Sequence, residues 1–474
     1  MSEKTTPDED ALPQLLGDFR PVDVWQSHMN KVFYGLKGHR LREYYQTFAA
    51  ADFRLGYALA TDYVNCVRTR EKRRETPSTS VLTIMEWGCG NGNLAACFLD
   101  RVMELDKDRT IYPRIKYYLI DSVETVLEGA KTNADLAKHQ DLVAVMQADV
   151  QDLGTFGEGT VDRIFCNDLW NELPTKLLLR KSGDLMEEHL RPNLKETRLA
   201  DFPDWVGFIQ AFDQGDLEAL KAFPDFLEDI VWEREYHGAE AKEMPFRRII
   251  MECMKDIDEE VLVPVNIGAA STLKEAKRLL AADGVGFSSF DAGTVDRMVL
   301  NDPEKPCYGL HGGQFSFMVN FALLKEVSSF VGGQPVTMEL QKEFVGRSLG
   351  TNVISLMDLL ASHPNQPKGD QWEMDLLILK TLDALNKTFK SAYQRKIEFP
   401  IHPETPSDKR SELEALLCSI KLDGVPDTVA YLSEDDVLSA RAELEALGYD
   451  RYGIQAAFAA PAQSVDYYHF SFTP

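Results

Sequence analysis

At 474 residues the chain is too long for a single α/β core and suggests two or three structural units. Its formal net charge of −25 argues against nucleic acid, which needs a basic stripe, and disfavours an anionic membrane surface. A cationic substrate suits that field better, although an acidic balance often serves only solubility.

In chain order, residues 1–10 are acidic and polar, without the apolar core of a secretion signal or the Arg-rich character of a mitochondrial one. Residues up to about 80 read as a helical region and linker, with helical spacing at 44–48 and 55–60 and a charged, then Pro/Ser/Thr-rich stretch at 68–80. A core of alternating strands and helices is expected over 81–180. Its first strand, 81–85, leads into Glu86-Trp87-Gly88-Cys89-Gly90-Asn91-Gly92 and a helix start at 95–99. Glycines at alternate positions let the backbone turn tightly and approach a ligand closely. Glu86, two residues before the first glycine, would repel a pyrophosphate and welcome a cationic or amino-bearing ligand.

Further strands are predicted at 115–120, ending in Asp121-Ser122, at 142–146, followed by Ala148-Asp149-Val150, and at 161–166, running into Asn167-Asp168. Each ends in a polar or acidic tip, and helix-like segments such as 123–138 separate them, which predicts an α/β, doubly wound, Rossmann-like sheet. An acid at the tip of strand two can take both ribose hydroxyls of a nucleoside, and Asp149 can accept from an adenine amino group. The plainer alternatives are that Asp121 or Ser122 caps a helix and that Asp149 is a solvated loop acid.

Residues 181–260 interrupt this pattern with Trp205, Phe208, Phe212, Leu217 and Phe223 among many charges, and read as an inserted helical unit. The core resumes over 261–330 with a helix at 271–280 and a fifth strand at 285–290. Residues 331–440 read as helical, and 441–474 as two terminal strands, 454–458 and 467–472, that close the sheet as a pair. The seven cysteines are scattered without a C-x-x-C pair, and the nine histidines form no H-x-x-x-H or H-E-x-x-H cluster. That pattern predicts free thiols in a reducing compartment, cytoplasmic by default, and no metal centre. The uncharged stretch 306–324 is broken by Gly, His, Gln and Asn and cannot span a bilayer.

The pattern E-x-G-x-G-x-G resembles the first motif of the class I methyltransferases, which implies S-adenosylmethionine (SAM) as cofactor. The contacts implied are Glu86, Gly88, Cys89, Gly90, Gly92, Asp121, Ser122, Ala148, Asp149, Val150 and Asn167. Asn167-Asp168-Leu169-Trp170-Asn171-Glu172-Leu173-Pro174 resembles the N-E-L-x-D-A-x-P segment of the MidA-type protein-arginine methyltransferases. Tyr118 to Ser122, Ser289 to Gly293, 314–321 and 339–346 are similar to later pieces of that family. Asp168 stands where that family has Glu, Asn171 where it has Asp, and Glu172 where it has Ala.

Asp168 and Glu172 lie four residues apart, so a helical turn would place both on one face, where two carboxylates can orient a guanidinium and accept its proton. Alternatively, Asp168 or Asn171 caps a following helix with Pro174 in its first turn. Three functions follow: a methyltransferase acting on a protein arginine or another nitrogen, a small-molecule O-, N- or C-methyltransferase, and a SAM-binding assembly protein without turnover.

Overall fold

The computed structural model describes residues 14–38, 53–73, 79–239, 244–332, 336–388, 393, 399, 401–402, 405–422 and 431–474. The readings at 1–10 and 44–48, and most of the Pro/Ser/Thr-rich linker, fall outside these residues. The chain divides into two compact units, one of residues 39–170, 270–295 and 324–474, the other of 1–38, 171–269 and 296–323.

The first unit holds the sheet expected from the sequence. Its strands are β1 (Leu82–Trp87), β2 (Ile115–Asp121), β3 (Val143–Gln147), β4 (Arg163–Asn167), β5 (Gly286–Thr294), β6 (Thr337–Leu340) and β7 (Asp466–Phe472). They run in the order β3-β2-β1-β4-β5-β7-β6. β1 to β5 are mutually parallel where they pair, and β7 is antiparallel to both β5 and β6. β1 and β4 are buried along nearly their whole length, as expected of parallel strands covered on both faces. The order reverses between β1 and β4, and a crevice at such a switch point, outside the carboxyl ends of the strands, is where this architecture takes ligands.

Helices α1 (Phe53–Arg73), α2 (Asn93–Leu105) and α3 (Glu124–Lys131) accompany these strands. Leu55, Leu59 and Tyr63 of α1 join Leu94 and Phe98 of α2, Leu119 of β2 and Phe165 of β4 in one core. Gly56 permits the close approach of α1 to α2, since a Cβ there would lie 2.6 Å from that of Cys97. A satellite core of Leu359, Leu379, Leu382, Leu413 and Ile420 holds the helices of the C-terminal region together.

Two terminal readings need correction. Residues 454–458 do not form a strand: Arg451–Ala457 is a helix, started by the Asp450 carboxylate accepting from the Gly453 N–H at 2.8 Å. β7 therefore takes its outer partner from β6, inside the stretch read as helical.

The second unit corrects the inserted helical unit. It is built on a six-stranded antiparallel sheet around Asp184–Leu194, which pairs with Lys176–Lys181, Ile230–Gly238, Gln14–Leu15 and Arg20–Pro21, while Val263–Val265 adds to Lys176–Lys181. The aromatics of 202–226 do sit on or beside short helices, Trp205–Gln214 and Leu217–Leu220. The many charges of this stretch hide the strands in the sequence, because several of them pair across the sheet, as in Lys176–Glu187 and Arg191–Glu233. Helix Val22–Lys37 is tied down by Gln26, whose amide donates to the Leu173 carbonyl and accepts from the Thr175 N–H.

Candidate active site

The glycine turn leaves β1 at Glu86 and ends where α2 begins. Gly88, Gly90 and Gly92 all have positive φ (66°, 53° and 75°), a region costly for other residues. Two of them also make room: a Cβ on Gly88 would meet Leu169 at 2.9 Å, and one on Gly92 would meet Leu136 at 2.5 Å. Gly90 differs, because a Cβ there would meet nothing within 4 Å. Its α-carbon faces open space, as a loop that cradles a ligand must. The Gly88 and Cys89 amides donate to the Ile120 carbonyl of β2, and the Gly92 amide to the Cys89 carbonyl.

Glu86 is buried and accepts from the Tyr117 hydroxyl at 2.7 Å. Burial pushes its carboxyl up to about 8, with the charge of Asp121 adding to the shift. Asp121, half-buried at the tip of β2, accepts from the Val123 N–H at 3.0 Å and from the backbone of Gly90 and Ser122. Burial outweighs these donors and lifts it to about 6. Its position couples strand two to the glycine turn, so it holds the loop's shape.

Ser122 is exposed, and its carbonyl accepts from Gln147. The Ala148 N–H donates to the Asp121 carbonyl, Val150 is buried, and Cys89 is a buried thiol raised by burial. Asp149 is exposed and accepts from the Gln151 N–H at 2.9 Å, closing its own turn.

Asp168 has the least ordinary environment. Its φ is +49°, left-handed for a residue with a Cβ, and its N–H donates to the Phe290 carbonyl of β5 at 2.9 Å. Oδ2 receives a long 3.3 Å hydrogen bond from Asn167, whereas Oδ1 is buried and finds no donor among the described residues. The Asn167 Oδ1 is likewise buried and unpaired. Burial pushes the Asp168 carboxyl up to about 7. The charge of Asp168 in turn raises the Tyr467 hydroxyl on β7, helped by burial and by Asp291. Behind it the Asp291 carboxylate accepts the Trp170 N–H at 2.7 Å, and the Trp170 indole donates to Thr272, fixing the chain beyond Asp168.

Neither sequence reading of the Asp168–Glu172 pair survives. Residues 168–175 are turn and extended chain ahead of strand Lys176–Lys181, so no helix presents both carboxylates on one face and none is there to be capped. Glu172 belongs to the other unit and accepts from the Tyr34 hydroxyl at 2.5 Å. Asn171 is buried there and donates to Ser316. Tyr117 and Tyr467 were not foreseen. Tyr467 lies far along the chain from Asp168, and only the β5–β7 register, which sets it opposite Ala292, brings it near.

The sequence model of the RMKL-like methyltransferase domain matches residues 80–172, from the approach to β1 through the Asp168 turn. Among solved structures, a Burkholderia thailandensis protein bound to S-adenosyl-homocysteine is 12% identical, with 96% of this chain and 88% of that chain covered and a TM-score of 0.47. A second structure from that organism is 13% identical, covering 97% and 88%, with a TM-score of 0.44. No curated protein matches the chain. Strand order, glycine turn and domain match define the class: this is a SAM-dependent methyltransferase of class I architecture. The open face of Gly90, after the carboxyl end of β1, and the buried Oδ1 atoms of Asn167 and Asp168, at the carboxyl end of the adjacent β4, fit that cofactor.

Proposed function

We propose that the chain methylates a nitrogen nucleophile that arrives as a cation, a protein arginine foremost, as in the MidA-type enzymes. Glu86, the glycine turn with Cys89, Asp121, Ser122, residues 148–150 and Asn167 hold the cofactor, and Asp168 receives the proton of the acceptor. The carrying observation is the Asp168 carboxylate, which sits on a left-handed backbone and has a buried Oδ1 that finds no donor among the described residues. A buried acceptor without a donor costs about 1–3 kcal/mol, so an evolved site keeps one where a ligand supplies the missing hydrogen. No cation lowers this carboxyl, and an arriving guanidinium would do so while donating to Oδ1.

The cofactor supplies a methyl group already activated by the sulfonium. The nitrogen lone pair forms the new N–C bond, the S–C bonding pair leaves with sulfur, and the proton shed by nitrogen passes to Asp168. The protein's part is to orient the nucleophile in line, exclude water and accept that proton. The seven cysteines are all free thiols, which suits an acceptor met in a reducing, cytoplasmic setting.

Incubation with methyl-labelled SAM and cell lysate tests the reading. Label in protein, recovered as methylarginine, supports it. Label only in small molecules replaces it with a metabolite methyltransferase, and binding of SAM without any transfer replaces it with a non-catalytic SAM-binding protein.

A further inference from the structure

A second carboxylate without a proper partner lies in the other unit, on the antiparallel sheet. Glu188, in strand Asp184–Leu194, is fully buried, and neither of its carboxylate oxygens receives a hydrogen bond from a described residue. Burial raises its carboxyl, and only Arg234 opposes that. Arg234 is an imperfect partner: its Nε stands 3.5 Å from Oε1 without the alignment of a hydrogen bond, while its Nη2 donates to the Tyr308 hydroxyl at 2.9 Å. The Arg234 side chain is 56% exposed. It stands beside the sealed acid, held from the other side by Tyr308.

The surroundings suit a planar cation. Glu188 pairs in register with Tyr236, and Arg234 with Leu190, so these four side chains share one face of the sheet. Tyr236 is 43% exposed, and the Arg234 guanidinium sits 5.7 Å from the centre of the Tyr308 ring. Gly238, next on that face beyond Tyr236, leaves open space where a side chain would stand. An aromatic wall, an under-used carboxylate and an open end form a site that a resident arginine occupies poorly.

We infer that Glu188, Tyr236 and Tyr308 form a binding site for the guanidinium of an arginine on a partner polypeptide, with Arg234 as its displaceable internal occupant. An incoming arginine free of the sheet's geometry can pair with both Glu188 oxygens at once, which Arg234 does not. Tyrosine faces add cation–π attraction to the same group. The site lies within one unit and does not depend on the methyl-transfer reading.

The test is calorimetric titration of the full chain, without SAM, with an acetylated and amidated Gly-Arg-Gly peptide. An Asp168→Asn background removes any contribution from the reaction site. Arg234→Ala in that background is expected to tighten binding at least tenfold, and adding Glu188→Gln to abolish the gain. The same peptide with citrulline, which is planar but uncharged, should not bind. Unchanged affinity in Arg234→Ala, or a gain that persists in Glu188→Gln, overturns the inference. Should Arg234→Ala lose cooperative unfolding, Arg234→Gln is read by the same criteria. Failure of methyl transfer leaves this binding result intact, so the two proposals fall separately.

Discussion

At the scale of single residues, one acid of the α/β unit carries two unusual features. Asp168 combines a left-handed backbone with an unpaired buried oxygen. Its replacement by glycine should relieve the backbone and leave thermal stability unchanged or raised, while turnover falls about 100-fold, the range general-base catalysis contributes. A fall in both stability and turnover would instead mark the residue as structural. Because burial lifts its carboxyl to about 7, Asp168 is protonated below that pH and cannot accept. The kcat/KM profile should therefore rise as pH increases through about 7 and level off above it, and Asp168→Asn should lose this limb. Asp121→Ala tests the cofactor side. Its carboxylate accepts from the backbone of Gly90 and is the group proposed to take the ribose, so its loss should weaken SAM by at least tenfold, read by calorimetry, while Asp149→Asn costs less.

Between neighbouring elements, polar groups buried in the sheet give stability a pH dependence. Glu86 on β1 keeps its proton up to about 8, whereas an unfolded glutamate loses it near 4.5. Between those values the folded state holds one more proton, so stability is complete below about 4.5 and declines as pH rises towards 8, by on the order of a few kcal/mol. Glu86→Gln, whose amide oxygen can still accept from Tyr117, should flatten that decline in thermal unfolding measured from pH 5 to 8. Glu339 on β6 behaves oppositely. Burial works against its charge, but hydrogen bonds from His469 and Arg347 hold it down to about 2. Its contribution is present above the ordinary value of 4.5 and is lost as pH falls towards 2.

These two acids also show what the sequence could disclose. Strands β1 to β4 were legible because each is a short apolar run ending in a polar tip, and Glu86 stood out beside three glycines. Glu339 was not legible as part of a strand. Thr337–Leu340 is only four residues long, and what makes it a strand is its pairing with β7, whose His469 reaches across to Ser288 on β5. Likewise Asp168 could be picked out as an acid after β4. Its strain and its neighbour Tyr467 depend on the β4–β5–β7 register, which no local pattern encodes.

For the whole molecule, the net charge of −25 is the feature that both carboxylate sites share. A field of that sign draws basic partners from solution and raises their encounter rate, an effect that salt suppresses as the Debye length falls from about 10 Å at 0.1 M to about 3 Å at 1 M. A half-buried acid such as Asp168, with its Oδ1 sealed from solvent, is screened less, so binding and turnover respond differently to salt. With an arginine-rich peptide as acceptor, kcat/KM should fall steeply between low salt and 1 M while kcat changes little. A neutral acceptor should show no such fall. The measurement is a pair of salt series on the same preparation, one per acceptor. Equal and flat profiles for both would mean that the acidic surface serves solubility alone, and the preference for a cationic acceptor would then rest on Asp168 by itself.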